Sequence, residues 1–390
     1  NPESRIPNPE SRIPNPDSRI PIPESRIPNP ESPFPPQAHT PSYRQRGGFA
    51  RIIRAPVVQE FRVSASADSF VPSPDLAFVF PGQGSQSLGM LAELAEMEVA
   101  AGTRVVRDAF DEASDGAGVD LWALSQGGPE EQLNRTEFTQ PALLAAGVAV
   151  WRLWCARGGA RPALMAGHSL GEYAALVAAG ALSLREGAHL VRIRGQLMQD
   201  AAPDGSGAMA AVLGVDDDVV RAACEDASDI EVVVPANFNS PGQVVIGGHA
   251  AAVARASELL NARGARKIAP LAVSVPSHTP LMRDAANRLA EAMHGVDWRE
   301  PAVPVIQNVD AEIHDGIQAV RDALVRQLYL PVRWTACVQA LAARGVVRIA
   351  ECGPGKVLCG LNKRIDKAIE NRALGTPGDF EAALEAWRDA

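Results

Sequence analysis

The chain has 390 residues, 46% of them hydrophobic, and a formal net charge of −9. That length allows two or three domains, and that apolar content can bury a sizeable core. The acidic balance excludes general binding to nucleic acid or to an anionic membrane surface. Five cysteines (Cys155, Cys224, Cys337, Cys352 and Cys359) are odd in number and scattered. They form no Cys-x-x-Cys pair and lie at no zinc spacing from a histidine. Reduced thiols and a cytoplasmic location are expected, with no metal site. No apolar stretch near the N-terminus reads as a secretory signal.

Residues 1–35 repeat a seven-residue unit five times, beginning Asn1-Pro2-Glu3-Ser4-Arg5-Ile6-Pro7. Two prolines per unit forbid a continuous helix or a central strand. One isoleucine per unit cannot form a core. Disorder with polyproline II character is expected here, continuing as a Pro, Ser and Arg-rich linker over 36–72. Folded sequence starts near Asp75. Leu76-Ala77-Phe78-Val79-Phe80 reads as a buried strand running into the glycine-rich turn Pro81-Gly82-Gln83-Gly84-Ser85-Gln86. An acidic helical stretch follows at about 88–114. The apolar run 141–151 reads as a buried helix, too short to span a bilayer. A short strand at 163–166 and a helix at 172–179 come next. Strand-turn-helix repetition predicts an α/β domain with a mostly parallel sheet.

Residues 204–275 have a different rhythm. Strands are expected at 208–213, 230–234, 243–246 and 268–275, and helices at 216–227 and 250–263. Asn239-Ser240-Pro241-Gly242 is expected to turn between the second and third strands. This β-α-β-β-α-β order is the ferredoxin-like pattern. It predicts a small domain inserted into a larger one made of 73–203 and 276–390. The larger part resumes at Val303-Pro304-Val305-Ile306. Helices near 317–328 and 334–344, a strand at 346–350, the loop Cys352-Gly353-Pro354-Gly355 and one last helix complete it.

Gly167-His168-Ser169-Leu170-Gly171 has the Gly-x-Ser-x-Gly form of a nucleophile elbow, with a strand before it and a helix after it. Such a turn holds a serine out toward substrate, and the helix start aims free N–H groups at developing negative charge. The hydroxyl needs a base to act at neutral pH. Of seven histidines, His39 lies in the repetitive tail and His168 adjoins the serine, where it shapes the turn. His189, His249, His294 and His314 have no unusual neighbours. His278 closes Val273-Ser274-Val275-Pro276-Ser277-His278, where the chain re-enters the larger domain, and is the candidate base.

These segments together resemble the malonyl-CoA:acyl carrier protein transacylases of bacterial fatty acid synthesis, over about residues 75–390. The resemblance is carried by Phe80 through Gln86, Gly167 through Gly171, Arg192-Ile193-Arg194-Gly195 and Asn237-Phe238-Asn239-Ser240-Pro241-Gly242-Gln243. It continues in Val275-Pro276-Ser277-His278, Val325-Arg326-Gln327-Leu328 and Gly353-Pro354-Gly355. It implies an α/β-hydrolase-like core domain plus the small ferredoxin-like domain. It implies Ser169 as nucleophile, His278 as base, and the Gln327 backbone carbonyl as the acceptor that orients His278. The backbone N–H groups of Gln83 and Leu170 would form the oxyanion hole. Arg194 would bind the malonyl carboxylate, and Asn239 and Gln243 would line the cleft. Malonyl-CoA and acyl carrier protein are the implied partners, with the CoA thioester as substrate and no cofactor. A cytoplasmic monomer is expected, and the Val275 to His278 motif resembles the stand-alone enzymes rather than polyketide-synthase domains.

Carrier proteins are acidic, so a local basic patch is expected. Arg263, Arg266, Lys267 and Arg283 are the candidates. Two other classes share some of these features. A serine hydrolase of the α/β-hydrolase type expects Ser, acid, then His in chain order and a His- and Gly-rich oxyanion motif; Phe80 to Gln86, the inserted domain and Arg194 argue against it. A docking protein that uses the Pro-rich tail would lose its partner when residues 1–70 are removed.

Overall fold

A computed structural model describes residues 73–203, 205–271 and 275–387. The heptapeptide repeats and the linker lie outside the described residues. The chain enters through β1 (Ser73–Phe80), whose last five residues are wholly buried. Four helices follow: α1 (Ala92–Ala100), α2 (Val105–Ala117), α3 (Leu121–Gly127) and α4 (Glu130–Leu133). The helical stretch expected at 88–114 is therefore two helices. Gly102, at φ 80°, turns the chain left-handed between them.

The long α5 (Thr136–Ala156) carries the apolar run. It starts five residues before Pro141, which sits inside its second turn. A proline at the head of an apolar run is a helix-start signal, but buried Thr136, Phe138 and Thr139 extend this helix upstream of the expected 141. Then come β2 (Pro162–Gly167), α6 (Gly171–Ala178) and α7 (Leu184–Asp200). Ser183 caps α7 reciprocally with Glu186, which satisfies two exposed helix-start donors.

The middle of the chain supplies β3 (Gly207–Leu213), α8 (Asp217–Ala227), β4 (Val233–Ser240), β5 (Gln243–His249), α9 (Ala250–Ala262) and β6 (Lys267–Pro270). Two expectations need correcting. β4 begins at Val233, because Ile230 is 92% exposed, and it runs through Asn239 and Ser240, leaving Pro241-Gly242 as the turn. β6 is Lys267–Pro270, and 272–274 of the expected 268–275 lie outside the described residues.

The rest comprises α10 (Arg283–Ala292), β7 (Val305–Ile306), α11 (Ile317–Gln327), α12 (Trp334–Ala343), β8 (Arg348–Glu351), α13 (Val357–Ile365), β9 (Glu370–Ala373) and α14 (Pro377–Ala386). The single last helix expected after Cys352 is thus a helix, a strand and a second helix. Glu370-Asn371-Arg372-Ala373 is polar because β9 is an edge strand, and it gives no apolar signal.

Two sheets result. Five parallel strands stand in the order β7-β2-β1-β8-β9, and four antiparallel strands in the order β4-β5-β3-β6. Helices cover the parallel sheet on both faces, which is why Leu76 to Phe80 of its central strand are apolar on both faces. On one side Phe78 meets Trp151 and Trp154 edge-on at 5.2 and 5.5 Å, and Trp154 meets Phe380 of α14 at 5.9 Å. Such ring pairs add about 0.5–1.5 kcal/mol each beyond the area they bury. They fasten the C-terminal helix to the central strand. α8 and α9 bury Val220, Ala223, Val253 and Leu260 against the antiparallel sheet. All described residues fall in one compact unit. Among them no helix is long and apolar enough to cross a membrane, and no group of three or more His, Cys, Asp or Glu could hold a metal ion.

Candidate active site

Parallel sheets place their loops for binding at the carboxyl ends of the strands. Here the loops after β1, β2 and β7 converge on Ser169. The serine has φ 52°, left-handed for a residue with a side chain. Its turn is closed by Gly171 N–H on His168 O at 2.9 Å and by Glu172 N–H on Ser169 O at 3.1 Å. The flanking glycines are needed for space. A Cβ on Gly167 would lie 1.9 Å from the Gly171 carbonyl carbon, and one on Gly171 would lie 2.0 Å from Phe80 O. The start of α6 is thereby pressed against the end of β1.

Ser169 Oγ lies 2.7 Å from His278 Nε2. His278 Nδ1 lies 2.6 Å from the backbone oxygen of Gln327. A carbonyl only accepts, so Nδ1 carries the proton and Nε2 presents its lone pair to the serine hydroxyl. Gln327 is the last residue of α11. Its carbonyl sits at the negative end of that helix, which favours an imidazolium once one forms. The His278 N–H donates to Leu328 O at 3.0 Å, so backbone and ring are held by the same helix end. Burial, the Arg194 cation and His168 together push the imidazole down to about 3, against the Gln327 bond that favours its charged form. His278 is therefore neutral, with its Nε2 lone pair unprotonated beside the serine hydroxyl.

Arg194 projects from α7 and is 1% exposed. Its guanidinium donates to Gln140 Oε1 at 2.7 Å, Gln327 Oε1 at 3.0 Å and Ser169 Oγ at 3.3 Å. It lies 5.5 Å from the centre of the Tyr173 ring. Every acceptor in this set is neutral. Burial lowers the guanidinium from its usual value, and a buried cation in such company favours an anionic ligand. Arg192, two residues away, donates to Ala117 O and stacks on Phe138 instead, on a different face of the helix.

The turn after β1 places Gln83 beside the elbow. A Cβ on Gly82 would lie 2.5 Å from His168 O, so the two loops touch through backbone. Gln83 Nε2 reaches Thr136 Oγ1 at 3.4 Å, and Gln86 bridges Gly84 N–H to Asn134 at 2.8 Å on each side. Among the described residues, the backbone N–H groups of Gln83 and Leu170 have no protein acceptor.

Asn239 joins the site through His168, whose Nε2 lies 2.8 Å from Asn239 Oδ1. Gln243 does not join it: its Oε1 accepts from Arg364 of α13 at 2.5 Å. Of the basic candidates, Arg263 pairs with Asp226, Arg283 stacks 4.3 Å from the Tyr329 ring centre, and Arg266 and Lys267 stand exposed at the start of β6. Sequence reasoning missed Gln140, Glu172, Asn308 and the side chain of Gln327. Gln140 precedes Pro141 and Asn308 follows a two-residue strand. Neither position carries a pattern that marks it.

The acyl transferase domain family matches residues 77–364. The chain is 54% identical over 308 residues to the malonyl CoA-acyl carrier protein transacylase of Salmonella typhimurium, covering 79% of this chain and 98% of the relative. It is 70% identical to the crystal structure of a malonyl-CoA:acyl carrier protein transacylase from Xanthomonas oryzae pv. oryzae, with a TM-score of 0.79 over 81% of this chain and 99% of the other. A second solved structure holds a type II PKS acyl-carrier protein in complex with its malonyl-transacylase. It is 51% identical with a TM-score of 0.78, over 80% of this chain and 99% of the other. With matches of this extent over a chain that holds Ser169, His278 and a buried arginine together, the chain belongs to the malonyl CoA-acyl carrier protein transacylase family.

Proposed function

We propose that this protein transfers the malonyl group of malonyl-CoA to the phosphopantetheine thiol of acyl carrier protein, through a malonyl-Ser169 intermediate, and so supplies fatty acid elongation. One observation carries the choice of acyl group: a guanidinium buried 3.3 Å from the nucleophile with only neutral hydrogen-bond acceptors. A malonyl carboxylate would meet it through two parallel hydrogen bonds.

Ser169 Oγ attacks the thioester carbonyl while its proton passes to His278 Nε2. The oxyanion is met by the N–H groups of Gln83 and Leu170. The tetrahedral intermediate collapses, the C–S bond breaks, and His278 returns the proton to the sulfur of CoA. The carrier thiol then gives its proton to His278 and attacks the ester, and the same steps in reverse free Ser169. Thioester is exchanged for thioester, so the cycle is close to neutral in energy and needs no cofactor. Gln327 replaces the acid of a Ser-His-Asp triad with a helix-end carbonyl.

The parallel sheet with its elbow supports an α/β-hydrolase-like core domain over 73–203 and 276–390. The β3-α8-β4-β5-α9-β6 order supports a ferredoxin-like domain over 204–275. Exposed Arg266 and Lys267 offer positive charge to the acidic carrier, more freely than Arg263 and Arg283, which are engaged. Five free cysteines support a reducing compartment, the cytoplasm, with the monomer as the working form.

Intact-protein mass spectrometry after incubation with a mixture of malonyl-, acetyl- and longer acyl-CoAs tests the proposal. A malonyl adduct should dominate and persist in water until carrier protein is added. A dominant acetyl adduct, or rapid loss of the acyl group to water, would refute it. The pH profile gives a second test. Because the imidazole is held far below 6.5, kcat/KM for malonyl-CoA should stay within about twofold from pH 8 to pH 5.5. An acid limb centred near pH 6.5 would show an ordinary histidine. The same burial lowers fold stability as pH falls below 6.5, because the unfolded chain takes up a proton that the folded one refuses.

A further inference from the structure

The transfer derived above uses the backbone of Gln327 and leaves two wholly buried polar residues without a task, Asn308 and Glu172. Asn308 lies just beyond β7, and its carboxamide spans the elbow. Its Oδ1 accepts the Ser169 N–H at 2.8 Å, and its Nδ2 donates to Gly167 O at 2.6 Å. Those two groups flank the left-handed turn. The Asn308 backbone is pinned in its turn: its N–H donates to Glu172 Oε2 at 2.8 Å, and its carbonyl accepts from Arg333 N–H at 3.0 Å. Glu172 Oε2 also accepts from Gln327 Nε2 at 3.3 Å. Gln327 Nε2 donates in addition to Ser169 O at 2.8 Å.

We propose that Asn308 and Glu172 are positioning residues: Asn308 holds Ser169 in its left-handed conformation, and Glu172 ties that hold to Gln327, which carries the base and supports Arg194. Nucleophile, base and carboxylate ligand come from three separate stretches of chain. They meet in one hydrogen-bonded set whose common member is Gln327, and Glu172 Oε2 joins Gln327 to the Asn308 backbone. The inference rests on Ser169 being the nucleophile, as proposed above.

Glu172 acts here as a neutral acceptor. Burial pushes its carboxyl up to about 8, against the bonds from Asn308 and Gln327 that favour the anion. The charged or titratable groups facing it are Arg194 from α7, Asp310 from the loop after β7, Cys337 from α12 and Tyr173 beside it on α6. A protonated Glu172 adds no second anion beside Arg194, so the guanidinium keeps its full charge for the substrate. Its other oxygen, Oε1, has no partner among the described residues and is free to carry the proton.

The test compares the wild type with Asn308→Ala, Glu172→Ala and Glu172→Gln. Two rates are read: malonylation of Ser169 by malonyl-CoA, and sulfonylation of Ser169 by phenylmethylsulfonyl fluoride. In the second, Oγ displaces fluoride from sulfur and His278 takes the proton, with no demand on Arg194 or on CoA binding. Circular dichroism and melting report the fold. Asn308→Ala and Glu172→Ala should each slow both reactions by about a hundredfold, the scale of an ångström's misplacement, with KM for malonyl-CoA changed less than about threefold. Glu172→Gln, which keeps a neutral acceptor, should stay within about fivefold of wild type in both.

Alanine variants that are folded and sulfonylated at the wild-type rate would overturn the proposal. So would loss of the fold in both, which would make the pair purely structural. A Glu172→Gln variant as slow as Glu172→Ala would overturn the neutral role. Failure of the wild type to take malonyl would refute the proposed function and leave the sulfonylation comparison intact.

Discussion

Ser169→Ala should abolish the malonyl-enzyme and lower turnover by about a millionfold, the scale seen when a serine nucleophile is removed from its triad. The size follows from the absence of a stand-in. The nearby thiol of Cys337 is buried against Gln307 O, and burial raises it far above the thiolate range. Glu172 has its Oε2 occupied by two donors. Water in place of Oγ would still find His278 and the oxyanion N–H groups, and it accounts for whatever slow hydrolysis remains. Intact mass after mixing with malonyl-CoA, together with CoA release, measures the loss. A malonyl adduct on any other residue of the variant would overturn the assignment of the nucleophile.

Arg194→Ala should reverse the acyl preference. Removing one partner of a buried ion pair costs about 3–5 kcal/mol, so kcat/KM for malonyl-CoA should fall by about 10²–10⁴-fold. Acetyl-CoA should respond in the opposite direction. In the wild type an acetyl group leaves the guanidinium unpaired, with its Nη2 still donating to Ser169 Oγ at 3.3 Å. That contact engages a lone pair of the attacking oxygen, and the same cation holds His278 down. Alanine removes both restraints. Arg194→Lys should fall between the two, since an ammonium keeps the charge and loses the planar fork. The measurement is the ratio of kcat/KM for malonyl-CoA and acetyl-CoA in each variant. An unchanged ratio in Arg194→Ala would refute the anchor.

What could be read ahead of the structure follows from how far each signal reaches along the chain. The elbow is local, so Gly167 through Gly171 announced the turn, the strand before it and the helix after it. β1 is apolar on both faces and was legible for the same reason. His278 and Arg194 became legible through motifs, which carry long-range information in short segments. Gln140 and Asn308 had no such marker. Each is an ordinary polar residue whose meaning lies in the residue across from it, 54 positions from Arg194 in one case and 139 from Ser169 in the other. Glu172 was visible only as an acidic residue in a first helical turn, where solvated glutamates are common. β9 and the second terminal helix were hidden by the polarity that an edge strand is free to have. Gln243 lies inside a matching motif, yet its side chain bonds Arg364 of α13, a partner 121 positions away that no local pattern marks.

The two sheets are not independent bodies. The Phe238 N–H of β4 donates to Val332 O at 2.8 Å, and the Val332 N–H donates to Ala236 O at 2.9 Å. Asn237 and Val332 thus form a parallel bridge outside either sheet. Five residues before Val332 stands Gln327, whose carbonyl accepts from the His278 ring. The antiparallel sheet therefore cannot swing aside as a door without pulling on the hinge of the imidazole itself. A displacement of one sheet against the other is thus felt at the carbonyl that holds His278 Nδ1.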